Sequence, residues 1–112
     1  MHQAMYEELK RVAARGETAT YSEVAPLADL NMEDPSHRDE IGRLLGEISE
    51  HEHSVRRPLL SVVVIHRDNN MPGPGFFKLA KRLELYDGRD DLKFFLDELK
   101  RAHSTWANPT AN

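Results

Sequence analysis

The sequence predicts an α+β domain, mainly helical, with a small sheet around residues 59–67. Apolar residues recur at helical spacing in several segments, whereas the run Leu59–Ile65 is rich in β-branched residues and reads as a strand. The chain has 112 residues, the usual length of one domain. We assign residues 1–103 to that domain and predict a frayed tail over residues 104–112.

Two short helices are predicted in the first third of the chain. Apolar residues spaced three and four apart predict a helix over residues 3–15. The sequence Thr-Tyr-Ser-Glu at 20–23 fits a capping box, in which the threonine hydroxyl and the glutamate carboxylate each accept a backbone N–H. It therefore predicts a helix over 21–29. Pro26 removes one backbone donor and is expected to shorten or bend this helix.

The third predicted helix, over residues 37–50 with Ser36 as its cap, carries the strongest apolar stripe. Gly42 and Gly46 lie one turn apart on this helix, and each costs about 1 kcal/mol relative to alanine. Such glycines let another group approach the backbone. That group is either a packed helix, which we favour, or a ligand. The stripe consists of Ile41, Leu44, Leu45 and Ile48.

The second half of the chain begins with the predicted strand. The run Leu59–Ile65 lacks alternation of apolar and polar residues, so it is expected to be a central strand covered on both faces. A proline- and glycine-rich loop at 71–75 follows, and helical patterns return over 76–83 and over 89–103. The last helix is predicted from the spacing of Leu92, Phe95, Leu96 and Leu99. The predicted core comprises Leu9, Ile41, Leu45, Ile48, Val62, Val64, Phe95 and Leu99.

Composition excludes several classes of function. The chain has no cysteine, which rules out disulfides, thiolate zinc sites, iron–sulfur clusters and cysteine nucleophiles. No apolar run approaches the roughly 18–20 residues that a membrane-spanning helix needs. The first residues lack the basic and apolar regions of a signal peptide. We therefore expect a cytoplasmic protein without a membrane partner.

Charge is unevenly distributed along the chain. The net charge is −4, but residues 1–55 hold 5 basic and 12 acidic side chains, whereas residues 56–82 hold 6 basic and 1 acidic. A surface for nucleic acid is expected to involve the basic stretch. The acidic half suits a basic protein partner instead. An ordinary solvated face is the third interpretation of the same numbers.

No set of residues in the sequence predicts catalysis or a cofactor. His51-Glu52-His53, with His37 as a possible third ligand, is better explained as a solvated helix end than as a metal site, because the pair follows a helix. His66 and Asp68 lack a nucleophile and an orienting partner. Gly73-x-Gly75 lacks the third glycine of a dinucleotide fingerprint. We predict a non-enzymatic protein without metal or cofactor.

The order of several motifs resembles one family. Ala-Thr-Tyr-Ser-Glu-Val-Ala at 19–25 is similar to the Ala-Thr-Tyr-Gly-x-Ile/Leu-Ala segment of the alkylguanine-DNA alkyltransferases and alkyltransferase-like proteins. Ile-Gly-Arg-Leu-Leu at 41–45 resembles their recognition helix. The resemblance implies a winged-helix-like DNA-binding domain. The family's reactive Pro-Cys-His-Arg is absent, and Leu-Ser-Val-Val at 60–63 stands near its place. The segment 59–77 also resembles short bacterial or phage-type proteins of no assigned function.

The resemblance also implies roles for individual residues. Tyr21 matches the tyrosine that rotates a base in the family. The family's arginine that fills the helix after base flipping corresponds to Asp39, with Arg38 beside it, so base flipping is not implied for this chain. The third helix is expected to approach the major groove of duplex DNA with its first turn. The predicted DNA-contacting residues are Tyr21, Arg38, Arg43, Arg67, Lys78, Lys81 and Arg82.

A protein-interaction regulator or inhibitor is the alternative function. It would use the acidic N-terminal half against a basic partner. Charge geometry distinguishes the two hypotheses. DNA binding is favoured if the basic residues of 56–82 share a face with the glycine-containing helix, and a protein partner is favoured if acidic side chains cover that helix.

Overall fold

The computed structural model describes residues 1–107, which form five α-helices, two 3-10 turns and a two-stranded parallel sheet. The prediction of a mainly helical α+β fold with a small sheet is therefore confirmed. No helix in this range is long and apolar enough to cross a membrane. In chain order the elements are α1 (Gln3–Ala14), β1 (Ala19–Thr20), α2 (Tyr21–Val24), a 3-10 turn (Ala25–Ala28), α3 (Pro35–Ser54), a second 3-10 turn (Leu60–Val63), β2 (Val64–Ile65), α4 (Pro74–Arg82) and α5 (Asp91–Trp106).

The capping box at the start of α2 is present. The Glu23 amide donates to the Thr20 hydroxyl at 3.2 Å, and the Thr20 amide donates to the Glu23 carboxylate at 2.9 Å. Hydrogen bonds from Thr20 to the Glu23 carboxylate hold the pKa of Glu23 below its usual range. The helix predicted over 21–29 is bent as expected, because Pro26 lies in the 3-10 turn that follows α2. That turn ends at Asp29 in the left-handed region, at φ 57°.

Helix α3 begins earlier and ends later than the predicted span of 37–50. The predicted cap, Ser36, is wrong. Asp34 caps the helix instead, and its carboxylate accepts the Ser36 amide at 2.9 Å. Pro35 occupies the first helical position, where its fixed φ suits the helix and its missing N–H has no role. The helix continues to Ser54, so His51 and His53 belong to its last turn.

The predicted central strand is wrong over most of its length. Residues Leu60–Val63 form a 3-10 turn, and only Val64–Ile65 pair with Ala19–Thr20, in parallel. The cause lies in the backbone donors. The Leu59 amide donates to the Glu98 carboxylate at 2.8 Å, and the Ser61 amide donates to the Ser49 hydroxyl at 3.0 Å. Because side chains of α3 and α5 already accept these donors, no neighbouring strand is needed to satisfy them.

The C-terminal tail starts later than predicted. Helix α5 continues through Trp106, so residues 104–106 are helical rather than frayed. The Trp106 ring is half-buried, with the Arg57 guanidinium 5.2 Å and the Lys10 ammonium 5.8 Å from its centroid. Cation–π contacts of this kind stabilise a helix end. The remainder of the predicted tail, residues 108–112, lies outside the described range.

Seven of the eight predicted core residues are buried. Leu99 is the exception, because it is only half-buried at the edge of the core. On the same helix Leu92 and Leu96 are 56% and 50% exposed, whereas Glu98 is buried. Helix α5 therefore turns Phe95, Glu98 and Ala102 towards the core rather than the full leucine stripe.

Candidate functional site

A groove of about 400 Å³ lies between α3 and the N-terminal end of α4. Its α3 wall includes Gly42, Leu45 and Gly46, and its α4 wall includes Phe76 and Leu79. The lining is mostly apolar, with a few polar groups at defined points. Sites of this size and composition are typical of ligand-binding clefts.

The glycines of α3 face open space. A Cβ atom placed on Gly42, Gly46 or Gly75 would meet no heavy atom within 4 Å. The expectation that Gly42 and Gly46 permit close helix packing is therefore wrong. Neither has a positive φ, since the glycines in the left-handed region are Gly16 and Gly88. Neither packing nor backbone conformation requires the two α3 glycines, and the approach of a ligand stays a prediction.

Tyr21 forms one end of the groove and is fixed by two neighbours. Its ring stacks on His66 with 4.4 Å between centroids and 29° between planes. Its hydroxyl accepts the Gly73 amide at 2.8 Å. A Cβ on Gly73 would lie 3.2 Å from both the Tyr21 hydroxyl and His66 Nε2, so glycine fits this position best. Burial raises the pKa of Tyr21 above its ordinary value.

Ser61 lines the same groove, and its hydroxyl accepts a hydrogen bond within the protein. The Ser49 hydroxyl donates to it at 2.6 Å, and Ser61 itself is 6% exposed. Within residues 1–107 no hydrogen bond joins Ser61 to His66, whose ring stacks on Tyr21 instead. A serine nucleophile requires a base within hydrogen-bond reach. This arrangement therefore supplies hydrogen-bond donors rather than a nucleophile.

The seven predicted contact residues are not all in one place. Tyr21 and Arg38 line the groove, and the Arg38 guanidinium donates to the Met32 carbonyl. Arg43 and Arg82 line its shallow outer extension. Lys81 lies elsewhere, with its side chain against Gly88 in a separate open depression.

The other two predicted residues, Arg67 and Lys78, are exposed. Arg67 belongs to a tight loop over 66–71, which the His66 amide closes by donating to the Met71 carbonyl at 2.9 Å. Lys78 lies on α4, one helical turn before Arg82 and therefore on the same side of the helix.

Some of these cations are already neutralised. Arg43 pairs with Glu40 at 2.7 Å and with Glu47 at 3.1 Å, and Arg82 pairs with Glu50. We call Glu40, Glu47 and Glu50 the acidic stripe of α3. Among the described residues, no carboxylate lies within ion-pair distance of Arg38, Arg67, Lys78 or Lys81. The cations available for a ligand thus lie in the groove (Arg38), on α4 (Lys78 and Lys81) and on the 66–71 loop (Arg67). The acidic stripe of α3 lies beside them.

The His51-Glu52-His53 sequence does not form a metal site in the structure. Glu52 is fully buried and accepts the Tyr6 hydroxyl at 2.8 Å and the Arg57 guanidinium at 2.8 and 2.9 Å. Its carboxylate is therefore committed to a structural ion pair. Across residues 1–107 no three histidine, aspartate or glutamate side chains gather in a metal-binding arrangement.

Comparisons with family models, with curated proteins and with solved structures found no match to this chain. The resemblance to alkyltransferases stays a prediction that rests on the short motifs at 19–25 and 41–45.

Sequence reasoning missed two residues that hold the segment leading to the groove. Ser49 and Glu98 hold the backbone of 59–61, and neither was a predicted site residue. A signal for Glu98 was present, because it lies three residues after Phe95 and four before Ala102, on their face of the helix. The bond between the Gly73 amide and Tyr21 joins residues 52 positions apart and left no local signal.

Proposed function

We propose that this chain is a non-enzymatic, winged-helix-like DNA-binding module that uses the groove between α3 and α4. The observation that carries the proposal is the open glycine face of α3, which lines the same groove as Arg38 and Asp39. Among residues 1–107 no carboxylate lies within ion-pair distance of Arg38. The order of the motifs, similar to that of the alkyltransferases, supports the same function. The loop over 66–71 would serve as the wing.

The unpaired cations are the expected phosphate contacts. Arg67 and Lys78 are exposed on the elements next to the groove, and side chains in such places contact the backbone of DNA. Arg38 lines the groove near the first turn of α3, where side chains reach base edges. Arg43 and Arg82 contribute less, because each must first separate from its carboxylates.

The acidic stripe of α3 limits how DNA can approach. Glu47 and Glu50 line the outer extension of the groove, so phosphates near them are repelled. The duplex is therefore expected to approach from the side of α4 and the first turn of α3, not along the full length of α3. The proposed DNA-contacting surface is therefore smaller than the one predicted from the seven contact residues named in the sequence analysis.

The proposal is tested by fluorescence-anisotropy titration of duplex DNA with Lys78→Gln and Arg38→Gln. Each phosphate contact contributes about 0.9 to the slope of log affinity against log salt. Lys78→Gln is expected to weaken binding to all sequences and to reduce that slope by about one. Arg38→Gln is expected to reduce any preference among sequences, because it removes a contact to base edges.

Lys100→Gln is the matched control. It removes the same charge from an exposed lysine of α5, which does not line the groove, and it should leave affinity and salt slope unchanged. Arg43→Gln should change binding less than Arg38→Gln. Equal effects of Lys78→Gln and Lys100→Gln would mean that only net charge matters, and the proposed surface would be wrong.

A basic protein partner is the second candidate, and the acidic stripe of α3 is the observation that favours it. The two functions predict opposite effects of Glu47→Gln. If DNA is the ligand, this substitution removes a repulsive charge and strengthens binding. If a basic protein occupies the outer groove, the same substitution removes an attractive charge and weakens that complex. A wild-type chain that binds no duplex at low salt would favour the protein partner.

A further inference from the structure

The segment Leu59–Val63 has a conformation that opposes its local sequence preference. Leu-Leu-Ser-Val-Val continues into Val64 and Ile65, and β-branched residues of this kind favour extended strands. The structure places Leu60–Val63 in a 3-10 turn. A conflict between local preference and global fold requires interactions that hold the unfavoured conformation.

Two side chains from different helices accept the backbone donors of this segment. The Glu98 carboxylate of α5 accepts the Leu59 amide at 2.8 Å, and the Ser49 hydroxyl of α3 accepts the Ser61 amide at 3.0 Å. Glu98 is 2% exposed, and Arg101 donates to its other oxygen at 2.8 Å. Burying a carboxylate without such partners costs free energy. The presence of Glu98 where an apolar residue would pack therefore indicates a specific role.

We propose that Glu98 is a positioning residue that holds the strand-prone segment 59–63 in its helical turn and thereby places Ser61 at the groove. The turn leads directly into β2, and β2 pairs with the strand that precedes Tyr21. An extended segment would turn alternate side chains to opposite faces and would displace the Ser61 hydroxyl. Helix α5 thus controls the shape of a groove to which it contributes no lining residue.

This inference does not depend on what the groove binds, because its readout is the protein's own backbone. Amide hydrogen exchange at Leu59 and Ser61, measured by NMR, reports each bond separately. Removal of a buried acceptor leaves its donor unsatisfied. Glu98→Leu is therefore expected to accelerate exchange at Leu59 about tenfold or more beyond the change in global unfolding, which urea denaturation measures in parallel.

Conservative variants separate positioning from general destabilisation. Glu98→Gln keeps a carbonyl oxygen for the Leu59 amide, so Leu59 should stay protected from exchange in this variant. Glu98→Gln therefore tests the proposal if Glu98→Leu does not fold. Asp97→Asn removes the same charge from an exposed neighbour on α5 and should leave exchange at Leu59 unchanged. Ser49→Ala should accelerate exchange at Ser61 while Leu59 stays protected.

The same variants report on the groove. If Glu98 positions the segment, Glu98→Leu shifts the amide resonance of Gly73, at the Tyr21 end of the groove, whereas Glu98→Gln restores it. Circular dichroism should show added β-structure in Glu98→Leu. If exchange at Leu59 and Ser61 in Glu98→Leu only follows global unfolding, or if Glu98→Gln loses Leu59 protection, the proposal is wrong.

Discussion

Replacing the α3 glycines by alanine tests whether the groove exists for a ligand rather than for the fold. Glycine inside a helix is less favourable than alanine by about 0.8–1 kcal/mol. At Gly42 and Gly46 nothing lies within 4 Å of the new Cβ atom, so no clash reduces the gain. We expect Gly42→Ala and Gly46→Ala to stabilise the protein by about 1 kcal/mol each.

The double variant should gain about 2 kcal/mol, because neither alanine contacts the core. For a domain of this size a gain of 1 kcal/mol raises the melting temperature by about 4 °C, so the pair should raise it by about 8 °C. Urea denaturation followed by circular dichroism measures the free energy of unfolding, and an unchanged dependence on urea concentration would show that the compactness of both states is preserved.

Gly16→Ala is the matched control. Gly16 follows α1 with φ +70°, a conformation that costs an L-residue about 1 kcal/mol or more. The same substitution should therefore destabilise the protein there and stabilise it in α3. Loss of stability in Gly42→Ala or Gly46→Ala would show that another element packs on the glycine face, and the argument for a ligand groove would fail.

Three further predictions concern the core and the titration of two side chains. Ile48 is fully buried, so Ile48→Ala should cost about 2–5 kcal/mol, and an unchanged urea midpoint would contradict its placement. The raised pKa of Tyr21 contributes to the free energy of unfolding. This contribution is complete below the pKa of tyrosine in the unfolded chain, about 10, and is lost as pH rises through the folded pKa. Tyr21→Phe should therefore make the fall in stability at alkaline pH shallower. The lowered pKa of Glu23 contributes stability that is present above the unfolded pKa and is lost as pH falls through the folded pKa. Glu23→Gln should therefore flatten the acid side of the stability curve, and an unaltered acid side would argue against the capping box.

Helices could be predicted from the sequence wherever local signals decide them. The stripe around Ile41 and Ile48 and the capping box at Thr20 and Glu23 both lie within one or two helical turns, and both are realised in the structure. Helix ends were less accurate, because Asp34 and Ser36 are both good caps. Only the structure shows which of the two accepts the amide.

The strand prediction failed because its deciding contacts are distant in sequence. Leu59 and Glu98 are 39 residues apart, and Ser49 and Ser61 are 12 apart. Intrinsic β-preference is a weak determinant when side chains from other helices accept the backbone donors. The open face of Gly42 is a second case, because sequence alone left helix packing and ligand approach as alternatives.

Of the predicted contact residues, Tyr21 and Arg38 line one groove, whereas Lys81 lies elsewhere and Arg43 is paired with carboxylates. Lys81 lies three residues after Lys78 on α4, and its exposed side chain lies against Gly88 in a separate open depression. Arg43 was predicted to contact DNA, whereas Glu40 and Glu47 pair with it in the structure. These glutamates lie three residues before and four residues after Arg43, a spacing that favours ion pairs on a helix, so this pairing could have been predicted from the sequence.

The central claim is that duplex DNA occupies the groove between α3 and α4. An NMR titration of the isotope-labelled chain with duplex DNA at low salt tests it most directly, because Gly42, Gly46, Gly73 and Gly75 line the groove and each has an amide resonance that can be followed. We predict shifts at these glycines and at Arg38 that disappear when salt is raised. An unchanged spectrum at low salt, or shifts confined to α1 and α5, would contradict the claim.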